Sequence, residues 1–173
     1  HHGHVERMKG AMEALGIDRN RLHVILVQLV RLIKDGEPVR MSKRSGKSVQ
    51  LSDLLDEVGT DSARFIFNTH EASSGMDFDL DLAIAKDFQN PVYYVQYAYA
   101  RICSIFRGAK DKNFDLETAD LSLLTHEIEK KLISFLTTYP SEVLRAASSY
   151  DSTKITRFVI NLAGLFHKFY SAC

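Results

Sequence analysis

The chain has 173 residues, 45% of them hydrophobic, and its 22 Lys and Arg balance 22 Asp and Glu to a net charge of zero. That length makes one domain or two small ones with a real core, and neutrality excludes an undifferentiated nucleic-acid-binding surface, because phosphate affinity is mostly a Lys/Arg effect. The longest apolar run, residues 24–30, is broken by Gln28 and falls far short of the roughly 20 residues of a membrane span; Cys103 and Cys173 suggest neither a disulfide framework nor a Cys-type zinc site.

The first element is a helix from Val5 to Leu15, with Val5, Met8, Met12 and Leu15 at helical spacing and Gly16 as its stop. His23 to Ile33, rich in Val, Leu and Ile, reads as a strand buried on both faces. Asp35-Gly36 is a strong hairpin signal that returns the chain through Arg40 as a second strand, with Pro38 on its outer, non-donating edge. A short helix opens at Leu51 or Ser52 and ends at Gly59, and a second opens at Thr60-Asp61. His70 to Asp77 reads as a polar connector and Asp79 to Phe88 as a further short helix with Asp79 as its cap.

Asn90-Pro91 restarts the chain as a long helix ending at Gly108, with Asn as N-cap and Pro in the first turn. Three more helices follow: one striped by Leu121, Leu124, Ile128, Leu132 and Phe135, one beginning at Pro140, and one carrying Ile155, Phe158, Val159, Leu162, Phe166 and Phe169. The expected architecture is mainly α: an α/β remnant with a short β-hairpin over residues 1–89, then an incomplete antiparallel helical bundle over 90–173. The chain opens without Met and stops while a helical pattern is still running, so the expectation is a piece of a longer protein.

The chemistry concentrates in Arg40-Met41-Ser42-Lys43-Arg44-Ser45-Gly46-Lys47. Gly46 and the serines let backbone N–H groups approach an anion, and Lys43, Arg44 and Lys47 supply charge for a developing pyrophosphate. Arg31, Lys34, Arg40, Lys43, Arg44 and Lys47 against Asp35 and Glu37 give this stretch a local net charge of +4.

Residues 27–44 resemble the KMSKS region of class I aminoacyl-tRNA synthetases, that of the arginyl-tRNA synthetases in particular. His1-His2-Gly3-His4-Val5 resembles a late segment of that family's nucleotide-binding domain rather than its His-Ile-Gly-His signature, which the resemblance places upstream. Phe78-Asp79-Leu80-Asp81-Leu82-Ala83 and residues 90–102 look like the entry to its anticodon-binding helical domain of the DALR type. The resemblance implies a ligase that attaches arginine to its tRNA with ATP, accompanied by Mg2+, through an arginyl-adenylate. Its partners would be tRNA, arginine and ATP, with no membrane and no DNA, in the cytoplasm. Lys43 matches the second lysine of the motif, which makes Met41, Ser42, Lys43 and Arg44 the candidate catalytic residues; Arg40 and Arg44 depart from the motif's lysine and serine. His1, His2, His4, Gln28, Gly46 and Lys47 are the implied ATP- and substrate-binding residues, no metal ligands are assigned, and these residues alone are expected to be inactive.

Tyr93, Tyr94, Tyr97 and Tyr99 with Gln96 and Arg101 form an aromatic and polar surface on one helix, and Tyr93, Tyr94, Tyr97 and Arg101 are its expected tRNA-binding residues, since exposed tyrosine stacks on unpaired bases. His23, His70, His126 and His167 read as ordinary structural residues. Two other functions fit parts of the pattern: a noncatalytic RNA-binding helical module, and another class I synthetase such as the cysteine enzyme.

Overall fold

A computed structural model of the chain describes residues 2–39, 50–110 and 117–173. Helix α1 (His4–Ala14) opens the fold, and a 3-10 turn at Arg19–Arg21 folds back onto it through Arg19, whose guanidinium lies 2.6 Å from the Glu6 carboxylate. Strand β1 (Val30–Lys34) pairs antiparallel with β2 (Glu37–Pro38) across Asp35 and Gly36, both at positive φ, 53° and 75°. That pair of left-handed residues matches the twist of a two-residue hairpin, which Asp-Gly adopts more readily than most dipeptides. Pro38 sits on the edge strand, where its missing N–H costs no ladder bond, and Val39 donates to the Leu32 carbonyl at 2.8 Å.

Helices α2 (Leu51–Val58) and α3 (Thr60–Phe67), separated by Gly59 at φ 80°, carry the chain across to β3 (Met76–Asp79). Strand β3 lies parallel to β1, with Leu32 opposite Phe78, so the sheet order is β2-β1-β3. A parallel neighbour requires a crossover of this kind. Leu32, Leu54, Val58, Ala63, Ile66, Met76, Phe78, Leu80, Ala83 and Val92 form one core around this sheet. Phe78 is its centre, at 0% exposure and 5.0 Å from the Phe67 ring.

Helix α4 (Leu80–Ile84) is capped by Asp79, which accepts from Leu82 N at 2.9 Å, and α5 (Pro91–Gly108) starts at Asn90. Asn90, 3% exposed, donates to the carbonyls of Ala83 and Ala85 and accepts from Val92 N, so one amide fixes the angle at which α5 leaves α4. After a 3-10 turn at Leu121–Leu123 come α6 (Glu127–Leu136), α7 (Tyr139–Ser149) and α8 (Thr153–Ala172). Helix α8 is the axis of the bundle, packing against α5, α6 and α7. Phe158 stacks on Phe135 at 4.6 Å, and Ala98, Ala163 and Phe166 form a second core. Ser152 Oγ and Thr156 Oγ1 both donate to Asn68 at the end of α3, which pins the start of α8 to the first unit.

Four expectations are corrected. Of the run from His23 to Ile33 only Val30–Lys34 is strand; residues 22–29 are extended, and Val24, Ile25, Val27 and Leu29 are exposed rather than buried on both faces, since no described element covers them. The connector is shorter, because Met76–Asp79 is β3. The helix expected to reach Phe88 stops at Ile84, and Leu121 and Leu124 precede α6 rather than belonging to it.

Helix α8 begins on an acid-sensitive cap. Lys154, the Thr153 hydroxyl and Thr153 N all bond the Asp151 carboxylate, the lysine most strongly, and hold it down to about 2. A carboxylate with a depressed pKa stabilises the folded state fully above its ordinary value near 4 and loses that contribution as the pH falls toward 2. Acid unfolding followed by circular dichroism should therefore lose its Asp151-dependent part between about pH 4 and 2, and Asp151→Asn should flatten the curve there. An unchanged curve would remove Asp151 from this role.

Candidate functional site

The residues proposed for chemistry divide sharply by location. His1, Met41, Ser42, Lys43, Arg44, Gly46 and Lys47, with Arg40, lie outside the described residues. His2 and His4 stand exposed at the start of α1. Gln28 is in the exposed extended run, where its N–H donates to the Ala72 carbonyl at 2.8 Å. Its side lines an open cavity of about 870 Å³ between that run, residues 68–74 and the α7–α8 junction, walled also by His23, His70, Tyr150 and Lys154.

The aromatic residues, by contrast, converge. Helical spacing puts positions i, i+4 and i+8 on one face, and Tyr93, Tyr97 and Arg101 occupy them. The Tyr93 and Tyr97 rings are stacked 6.0 Å apart at 13°. Arg101 extends the ladder: its guanidinium lies 4.6 Å from the Tyr97 ring centroid and 4.4 Å from that of Tyr170 on α8, and it donates to the Tyr97 hydroxyl at 3.2 Å. A planar cation between two ring faces gains cation–π attraction on both sides. Tyr94 instead turns toward α8, where a Cβ on Gly164 would come within 3.2 Å of its hydroxyl, so glycine makes room for the ring. Tyr94 also packs at 4.7 Å against His167.

Three residues of this face are absent from the sequence-derived set: Phe88, His167 and Tyr170. The Phe88 ring lies within 6.1 Å of the rings of Tyr93, Tyr94, Tyr97 and His167, yet the residue is 59% exposed. Its position just ahead of Asn90-Pro91 was a usable signal, since an apolar residue before an N-cap commonly packs on the first turns of the helix. His167 and Tyr170, three residues apart, reach α5 only because α8 returns beside it, and spacing along one helix does not disclose that contact.

On the sequence side, residues 95–173 match the DALR anticodon binding domain. An arginine–tRNA ligase from Caldanaerobacter subterraneus subsp. tengcongensis is 54% identical over 99% of this chain, and one from Acetivibrio thermocellus is 48% identical over all of it. The chain spans about a third of the length of these curated relatives, 31% in each case. A crystal structure from Campylobacter jejuni, provisionally described as an arginyl-tRNA synthetase, superposes on the whole chain with a TM-score of 0.89 at 39% identity, and the chain covers 38% of it. An arginyl-tRNA synthetase from Thermus thermophilus shares the fold over 82% of the chain, with a TM-score of 0.65 at 22% identity and 26% of that structure covered. The order of elements, the helical unit of residues 95–173 and the identity across the whole length place the chain in the arginyl-tRNA synthetase family.

Proposed function

We propose that this chain serves the ATP-dependent attachment of arginine to tRNA, through an arginyl-adenylate, with its bundle binding the anticodon region and residues 40–47 holding the pyrophosphate. The observation that carries the RNA half of this reading is the Tyr93–Tyr97–Arg101 ladder, which offers ring faces for unpaired bases beside a fixed cation. Residues 40–47 support the other half by composition: positioning and charge are most of what attack on an α-phosphate requires of a protein. ATP brings Mg2+ with it. Among the described residues no group of three or more His, Cys, Asp and Glu stands together to hold a metal, so no protein ligand for that ion is assigned. None of the described helices is long and apolar enough to cross a membrane. The reaction belongs to the cytoplasm, where tRNA is charged.

The test uses a polypeptide of the relatives' full length carrying this sequence. Tyr97→Ala should weaken tRNA binding by roughly 1–3 kcal/mol, the loss of one stacking contact, and leave arginine-dependent ATP binding in place. Tyr99→Ala is the control: Tyr99 is exposed but lies two residues from Tyr97, on the opposite face of α5. Equal tRNA affinity in both variants, with a lowered melting temperature for Tyr97→Ala alone, would reduce the ladder to packing.

A further inference from the structure

The turn that leads toward residues 40–47 is held from outside its own hairpin. Asp35, the first residue of that turn, at φ 53°, donates its backbone N–H to Asp81 Oδ2 at 2.6 Å, across 46 residues of sequence.

The hairpin has few bonds of its own to fix it. Strand β2 is two exposed residues, Glu37 and Pro38, paired with β1 alone at the edge of the sheet. Pro38 has no N–H to give, so the return strand leans on the bond from Val39 N to the Leu32 carbonyl. A ribbon this short is marginal in water, and a residue other than glycine at positive φ is disfavoured, Asp less than most.

Asp81 is mounted to supply the missing hold. Its helix, α4, is anchored by Leu80 and Ala83, both buried, capped by Asp79 and bonded at its carbonyl end by Asn90. The carboxylate therefore projects from a fixed element on a short side chain, which loses little rotamer freedom when it binds. A second tie exists next to the turn, where Lys34 meets Glu57 of α2 at 2.6 Å, but it joins two long exposed side chains and such pairs contribute little. The bond from a main-chain N–H to a carboxylate is charge-assisted and fixes the backbone directly.

We infer that Asp81 is a positioning residue for adenylate formation: by holding the Asp35 N–H it fixes the Asp35-Gly36 turn, and with it the point from which the chain enters residues 40–47. The inference rests on the reading that residues 40–47 hold the pyrophosphate. In that step an arginine carboxylate oxygen bonds the α-phosphorus while the bond to the bridging oxygen breaks, and pyrophosphate leaves with the electron pair. A charge-stabilising group displaced by about 1 Å costs rate in such a step, so the position of the turn is a kinetic quantity.

The experiment measures pyrophosphate exchange in a polypeptide of the relatives' full length, with kcat, the KM for arginine, the melting temperature and the hydrogen exchange of the Asp35 amide. Asp81→Ala should lower kcat about three- to tenfold, leave KM within about twofold and speed exchange of the Asp35 amide. Asp81→Asn, whose amide oxygen can accept from the same N–H, should recover most of the rate and the slow amide exchange without the charge. An unchanged kcat or Asp35 amide in Asp81→Ala, or equal losses in the two variants, overturns the inference. In that case Lys43→Ala separates the two readings. If it still slows pyrophosphate exchange, only the role of Asp81 fails; if it has no effect either, the reading of residues 40–47 fails with it.

Discussion

Lys43→Ala in a polypeptide of the relatives' full length should slow adenylate formation by on the order of a hundredfold or more, the scale of losing one preorganised charge-stabilising donor. Arginine affinity should change much less, because the charge that Lys43 would meet develops on the departing pyrophosphate and is small in the ground state. The hairpin makes the expectation specific: β1 and β2 are joined by a tight Asp35-Gly36 turn, and Val39 is bonded to Leu32, so the chain enters residue 40 from a fixed point on the sheet. Lys43→Arg should recover part of the rate, since guanidinium keeps the charge but not the compact geometry of an ammonium. Pyrophosphate exchange with saturating arginine is the measurement, and an unaffected rate would make residues 40–47 a solvated basic stretch.

Phe78→Ala should destabilise the chain by about 3–5 kcal/mol, a large share of a small protein's stability. Phe78 is fully buried on β3, opposite Leu32 of β1 and packed on Phe67 in the first core, so no neighbour can close the space without moving the sheet. Urea unfolding would show the midpoint falling with the slope preserved. The tRNA binding proposed for the distant ladder of α5 should be unchanged wherever the variant is folded. A loss below 1 kcal/mol would mean that the sheet collapses readily around the gap.

What the sequence disclosed depended on whether the signal was local. Asp35-Gly36, Asn90-Pro91 and the cap at Asp79 are written in two or three residues, and each turns or starts the chain where expected. Strand β3 was legible in principle, because Met76 and Phe78 alternate inward with Asp77 outward, but a single alternation among Ser, Gly and Asp gives little weight against a connector. The apolar run before Val30 was overread: its composition favours a buried strand, yet burial is decided by what packs against it, and this run faces an open cavity. The site follows the same division. Tyr93, Tyr97 and Arg101 share one helix and one spacing, whereas Tyr170 and His167 join them from α8, across some seventy residues of chain.

Arg101 carries a consequence for the entropy of binding. A free arginine side chain holds about 2 kcal/mol of rotamer entropy, much of which is surrendered when a partner fixes it. Here the guanidinium is already confined between the Tyr97 and Tyr170 rings and tied to the Tyr97 hydroxyl, so the freedom was given up when the protein folded. On the proposed reading, a phosphate that meets Arg101 would find a cation already confined, and less of the ordering cost of that contact would fall on the protein.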